Sequence, residues 1–163
     1  MIYFDMDGVL CQWDPTSSVE DTFQPGYFLS RKEEKGVSKL IRQLKKEGHA
    51  VAILSAVYTE GTAYAEKEQW LKDHGLGDIT KIFVPYGDDK NKYVGPGDNI
   101  LVDDFSRNLH AWEKAGYTGV KFYNGINGTH GTWTGYSINR RMPLEKMLTI
   151  IRAVAQATKK HKS

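Results

Sequence analysis

Two aspartates stand one residue apart near the start of the chain, in Ile2-Tyr3-Phe4-Asp5-Met6-Asp7-Gly8-Val9-Leu10. Residues i and i+2 of a strand point the same way, so Asp5 and Asp7 leave the end of this short apolar run together. Carboxylates crowded in this way repel unless a cation or a shared proton relieves them. The pair suits a site where one carboxylate attacks phosphorus and the other handles a proton. Asp-Gly after a strand is also a turn signal, so the pair alone leaves both readings open. Three further groups could join it. Ser55 closes the run Val51-Ala52-Ile53-Leu54-Ser55. Lys90 and Lys92 follow a third apolar run. Asp103-Asp104 closes Ile100-Leu101-Val102. Each has an ordinary reading: Ser55 as a turn former, the lysines as solvated loop residues, Asp104 as a helix N-cap.

The elements that would bring these residues together alternate in type. Strands are predicted over 2–4, 50–54, 82–84, 99–102 and 119–123. Helical spacing marks Val37, Leu40, Ile41 and Leu44, with Gly48 as the stop. A second helix is predicted over 62–74, ended by Gly75. Phe105, Leu109 and Trp112 share one face of a third, which ends at Gly116. Pro143 opens the last helix, whose face is Leu144, Met147, Leu148, Ile151 and Val154. Residues 11–33 read as irregular, and so does the Gly/Asn/Thr-rich stretch 124–135. This alternation predicts an α/β fold: a parallel sheet with helices on both faces. Right-handed crossovers then put every strand's carboxyl end, and so every candidate residue, on one rim. Open sheets of this kind bind their ligands at that rim.

With 163 residues the chain reads as one domain, large enough for a proper core. A net charge of +2 makes no case for nucleic acid or a membrane surface. Cys11, the one cysteine, excludes an internal disulfide and fits a reducing, cytoplasmic setting. No run is long and apolar enough to span a bilayer, and the start reads as a strand, not a signal peptide. The basic end, Lys159-Lys160-His161-Lys162, reads as a solvated helix end.

Taken in order, Asp5-Met6-Asp7, Ser55, the lysine and Asp103-Asp104 resemble the four motifs of the haloacid dehalogenase superfamily of phosphohydrolases. The resemblance covers residues 1–104 and implies a three-layer Rossmann-like core. It also implies a role for each residue. Asp5 is the nucleophile that forms an aspartyl-phosphate, and Asp7 is the general acid and base. Magnesium is held by Asp5, the Asp7 carbonyl and Asp103, with Asp104 behind them as a second layer. Ser55 and the backbone at Ala56 hold the phosphoryl oxygens. The lysine neutralises charge, and Lys90, in Gly-Asp-Asp-Lys, fits the motif better than Lys92.

Finer details are similar to the 5′(3′)-deoxyribonucleotidase group: Trp13 after the first motif, Pro25-Gly26-Tyr27-Phe28, and Glu66-Lys67-Glu68-Gln69-Trp70. The resemblance makes Lys67 a phosphate contact; read as a residue alone, it could equally face solvent. That group carries a helical cap after the first motif. Here residues 12–33 leave room only for a short cap-like loop. Trp13, Phe23, Tyr27 and Phe28 are its candidate walls, for stacking on a base or for pinning the loop. The implied substrate is a small phosphomonoester, a nucleotide first. Sugar phosphates, nucleic-acid ends and a non-catalytic binding role are the alternatives. The Asn, Thr and His residues of 124–135 are further candidates for substrate contact, and the sequence leaves oligomeric state open.

Overall fold

The computed structural model describes residues 1–128 and 131–160. Its framework is a six-stranded, all-parallel sheet. The strands are β1 (Ile2–Phe4), β2 (Val51–Val57), β3 (Thr80–Pro85), β4 (Ile100–Asp103), β5 (Thr118–Tyr123) and β6 (Tyr136–Asn139). They lie in the order β3-β2-β1-β4-β5-β6. The helices are α1 (Lys35–Lys46), α2 (Ala63–Asp73), α3 (Ser106–Lys114) and α4 (Leu144–Lys160). This is the α/β, Rossmann-like arrangement that the alternating pattern predicts.

Alternation along the buried strands builds a core on each face. Ile2, Phe4, Val51, Ile53, Ile100 and Val102 pack with the apolar stripes of α1 and α4 and with Trp70 and Leu71 of α2. Tyr3, Ala52, Leu54 and Leu101 point the other way, against Leu109 and Trp112 of α3. Among the described residues no helix joins β5 to β6. Trp133 fills that place, buried in the α3-side core, and its indole N–H donates to the Tyr136 carbonyl at 2.9 Å. A Cβ on Gly119 would lie 2.7 Å from the Trp133 ring, so the indole rests directly on the strand backbone.

The strand order reverses between β1 and β4, which are neighbours in the sheet but far apart in sequence. Successive crossovers leave in opposite directions there and open a crevice at the strands' carboxyl ends. Asp5 and Asp7 lie at one lip of it, Asp103 and Asp104 at the other.

Several expectations shift. The second strand runs past Ser55 to Val57, so Ser55 lies within it. The short strand β6 falls in a region read without one, because Ile138 is its only buried residue. Phe105 precedes α3 and is exposed, so it does not share the buried face of Leu109 and Trp112. Residues 12–33 hold one 3-10 turn, Glu20–Phe23, and otherwise turns and bends. Among the described residues no helix is long and apolar enough to cross a membrane. His161 and Lys162 of the basic end lie outside the described residues, as do Thr129 and His130.

Candidate active site

Asp5 leaves β1 into a buried position. Its Oδ1 accepts the Met6 N–H at 2.8 Å and pairs with the Lys90 ammonium at 2.8 Å. Among the described residues no hydrogen bond engages Oδ2. Burial pushes the Asp5 carboxyl up to about 6, against the pull of Lys90 and with added repulsion from Asp103 and Asp7. Lys90 opens a 3-10 turn, Lys90–Tyr93, and is only 4% exposed. It also reaches Asp103 Oδ2 at 2.8 Å. Burial alone would lower its pKa, but Asp103 and Asp5 outweigh that and raise it, so the ammonium stays charged. Lys92 projects into solvent and pairs with Asp89 at 3.5 Å. Of the two candidate lysines, Lys90 is the one that meets the aspartates.

Asp7 sits on the turn after β1. Its Oδ2 takes a 2.5 Å bond from Lys67, and its Oδ1 lies 3.6 Å from the Cys11 thiol. Lys67 is 1% exposed, which excludes the solvent-facing reading. Its ammonium also donates to Ser55 Oγ (3.1 Å) and the Ala56 carbonyl (2.8 Å), and it lies 4.7 Å from the centre of the Phe28 ring. These three acceptors match the three donors of an ammonium. Ser55 is fully buried behind Lys67, whereas Ala56 reaches the cleft surface.

The two late aspartates make different contacts. Asp103 is 0% exposed and accepts three bonds: Oδ1 accepts the Phe105 N–H at 2.8 Å, and Oδ2 accepts Lys90 and the Asn108 amide at 2.9 Å. Asp104 lines the cleft. It does not cap α3, whose N-terminal flank is Phe105. Its Oδ2 accepts the amides of Asn127 at 2.6 Å and Asn124 at 3.3 Å. Burial, then repulsion from Asp103 and Asp5, raises its pKa well above the usual carboxylate range. Gly8 passes so close that a Cβ there would lie 2.1 Å from Asp104 Oδ2, and its φ of +79° also favours glycine.

Ligand oxygens of Asp5, Asp103 and Asp104 lie within 4.8 Å of one another. Three buried carboxylates with raised proton affinity on two of them call for a cation, and an all-oxygen set suits a hard one. The residues present therefore fit magnesium. Asp7 contributes no carboxylate to this cluster, since its side chain turns to Lys67.

The cleft above these groups holds about 520 Å³. One wall is the loop 12–33, pinched at its base by a bridge between Cys11 and Glu33. Glu66 fastens this loop to α2, accepting the N–H groups of Gly26 (2.6 Å) and Phe28 (3.0 Å). The Trp70 indole N–H donates to the Arg31 carbonyl at 2.9 Å. Glu66, Lys67 and Trp70 are buried on their helix together with Ala63 and Leu71, so that motif serves the loop and Asp7 together. Trp13, Tyr27 and Phe28 line the cleft; Phe23 packs against Tyr58 at 5.0 Å instead.

Several lining residues escaped the sequence reading: Tyr58, Tyr86, Phe105, Arg107 and Asn108, while Asn127, one of the loop candidates, does line the cleft. Tyr58 and Tyr86 each follow a strand directly and Phe105 stands two residues past β4, and that position is the signal that could have found them. Tyr58 and Tyr86 stack with ring centres 4.4 Å apart.

No protein-family model and no curated protein matches the chain. Solved structures do. A D,D-heptose 1,7-bisphosphate phosphatase from B. bronchiseptica, complexed with magnesium and phosphate, is 17% identical, with a TM-score of 0.61. The match covers 91% of this chain and 97% of that one. An uncharacterized protein from Listeria monocytogenes serotype 4b is 15% identical, with a TM-score of 0.59, covering 93% of this chain and 98% of that one. The chain thus has the parallel α/β fold of these proteins along nearly its whole length.

Proposed function

We propose that the chain is a magnesium-dependent phosphomonoesterase of the haloacid dehalogenase type, acting first on nucleoside monophosphates. The observation that carries the phosphatase reading is the Asp5–Lys90–Asp103 bridge, with Asp7 beside it at the sheet's switch point. The fold shared with a phosphatase agrees with it. Magnesium would be held by Asp5 and Asp104, with the Asp7 carbonyl as a further oxygen. Asp103 would act from behind, fixing Lys90. Bound there, the ion would neutralise charge on the phosphate and on the Asp5 carboxylate.

In this reading Asp5 Oδ2, the oxygen turned away from Met6 and Lys90, attacks phosphorus. The bond from phosphorus to the ester oxygen breaks, and Asp7 gives that oxygen a proton. Water then attacks the aspartyl-phosphate, Asp7 takes its proton, and phosphate leaves with Asp5 restored. Lys90 offsets negative charge on Asp5 throughout. Lys67 keeps Asp7 aimed at the cleft, and Ser55 serves Lys67 more directly than it serves phosphate.

The nucleotide reading rests on the aromatic walls. Trp13, Tyr86 and Phe105 expose 42%, 64% and 53% of their surfaces beside the cleft, although large apolar side chains usually avoid water. Stacking on a base contributes about 1–3 kcal/mol per base. A second reading, a sugar phosphate with another anionic group, is favoured by Arg107. It lines the cleft and has no carboxylate partner among the described residues. A panel of deoxy- and ribonucleotides against sugar mono- and bisphosphates, each with magnesium, separates the two. Higher kcat/KM on nucleotides, reduced by Tyr86→Ala, supports the first reading. Preference for sugar phosphates sinks it, and no turnover on any ester sinks the phosphatase itself.

A further inference from the structure

The segment following β5 is the part of the rim that no catalytic motif explains. It returns over Asp104 and grips it from several sides. Asn127 and Asn124 both donate to Asp104 Oδ2. The same Asn124 amide donates to the Gly8 carbonyl at 2.9 Å, joining Asp104 to the turn that carries Asp7. Asn124 Oδ1 accepts the N–H groups of Ile126 (2.8 Å) and Asn127 (3.0 Å), so it also shapes its own loop. Arg140 holds the Asn124 carbonyl at 3.0 Å and pairs with Glu34 at the end of the cap-like loop. Beneath, Lys121 donates to the Asp104 carbonyl and to Ser106 Oγ. Only glycine fits above that contact: a Cβ on Gly128 would lie 2.7 Å from Lys121 Nζ and 2.8 Å from the Asp104 carbonyl.

The two bonds to the Asp104 side chain both fall on Oδ2. Among the described residues none reaches Oδ1, and the residue lines the cleft. The Asn124 amide also faces Asn127 Oδ1, so its two hydrogens are shared among three acceptors, and Asn127 is the shorter hold on Asp104. A carboxylate with one oxygen held in this way turns its other oxygen to a ligand. We propose that Asn124 and Asn127 are positioning residues for the metal site: they fix Asp104 Oδ2 so that Oδ1 is presented to an ion shared with Asp5. This rests on the reading of Asp104 as a magnesium ligand. Both asparagines would act through Asp104. Partners that orient a ligating carboxylate in this way are typically worth about 10–100-fold in metal affinity.

The test is magnesium binding without substrate, by titration calorimetry on the full chain, with the melting temperature of the metal-free protein beside it. Asn124 is 1% exposed, and its replacement could unfold the chain, so Asn127→Ala is the working variant. The expected result is magnesium binding at least about tenfold weaker, with the metal-free melting temperature within about 2 °C of wild type. Unchanged affinity overturns the inference. So does weaker binding with a clearly lower metal-free melting temperature, which marks general loosening. Asp104→Asn is the control. If it loses binding while Asn127→Ala keeps it, only the inference falls. If both bind like wild type, Asp104 is not a ligand, and the reading beneath falls too.

Discussion

Removing the Lys90 ammonium is the perturbation whose consequences the structure fixes most tightly. Lys90→Met keeps the stem and deletes the charge. Asp5 and Asp103, 8% and 0% exposed, are each 2.8 Å from that ammonium. Without it, two buried carboxylates face one another with no cation between them. Stripping one partner from a buried pair costs about 3–5 kcal/mol. In a chain of this size each kcal/mol moves the melting temperature by about 2–4 °C, so a fall of about 6–20 °C is expected. The assay is thermal unfolding in chelator, because an added metal would replace the missing charge. The pH dependence has a definite sign. Asp5 titrates at about 6 in the fold, above its ordinary value of 3.8. A carboxyl raised by folding favours the folded state at low pH, and that benefit is lost as pH climbs through the folded pKa. Losing Lys90 raises the carboxyl further. The gap between wild type and variant should therefore be small near pH 4.5 and widen through pH 6 to pH 8. Lys92→Met, at an exposed position, should leave the melting temperature unchanged. A Lys90→Met protein that melts like wild type at pH 8, or a gap that ignores pH, would mean that Lys90 does not hold the two carboxylates together.

Two further variants follow from single contacts. Gly8→Ala places a methyl against Asp104 Oδ2 and forces a left-handed φ on alanine. It should cost at least about 1–3 kcal/mol, read as a melting temperature lower by about 2–12 °C, and should weaken magnesium binding. Retained stability together with retained binding counts against the close approach of the two loops. Lys67→Met frees Asp7 while keeping the packing against Phe28. Turnover of p-nitrophenyl phosphate should fall at least about tenfold, since acid–base catalysis supplies about 10²–10⁴; an unchanged kcat would separate Lys67 from Asp7.

The sheet was legible because its strands are short, apolar and punctuated by glycine, and because the amphipathic helices between them keep a clear period. β6 was not, since one buried isoleucine makes no pattern. The motif residues also stood out, because strand ends carry them in a fixed order. Which oxygen each presents did not. Asp103 and Asp104 are neighbours in sequence, and only the fold turns one onto Lys90 and the other onto the cleft. Lys67 looks like any helix lysine until α2 docks on β2 and brings it beneath Asp7. Ser55 is read as a strand end because the run looks complete there, yet pairing with β3 carries the strand on to Val57. Asn124 and Asn127 sit in a stretch that reads as loop composition alone. Their roles come from contacts 20 and 23 residues away in sequence, which no local pattern encodes.

Attack of Asp5 on phosphorus with the help of a metal is tested by phosphate release from p-nitrophenyl phosphate by wild type and by Asp5→Asn, each with magnesium and with chelator. Magnesium-dependent turnover is expected of wild type and none of Asp5→Asn, whose amide oxygen is a poor nucleophile in the same place. Turnover by Asp5→Asn at a rate near wild type, or wild-type turnover that survives chelation, would contradict it.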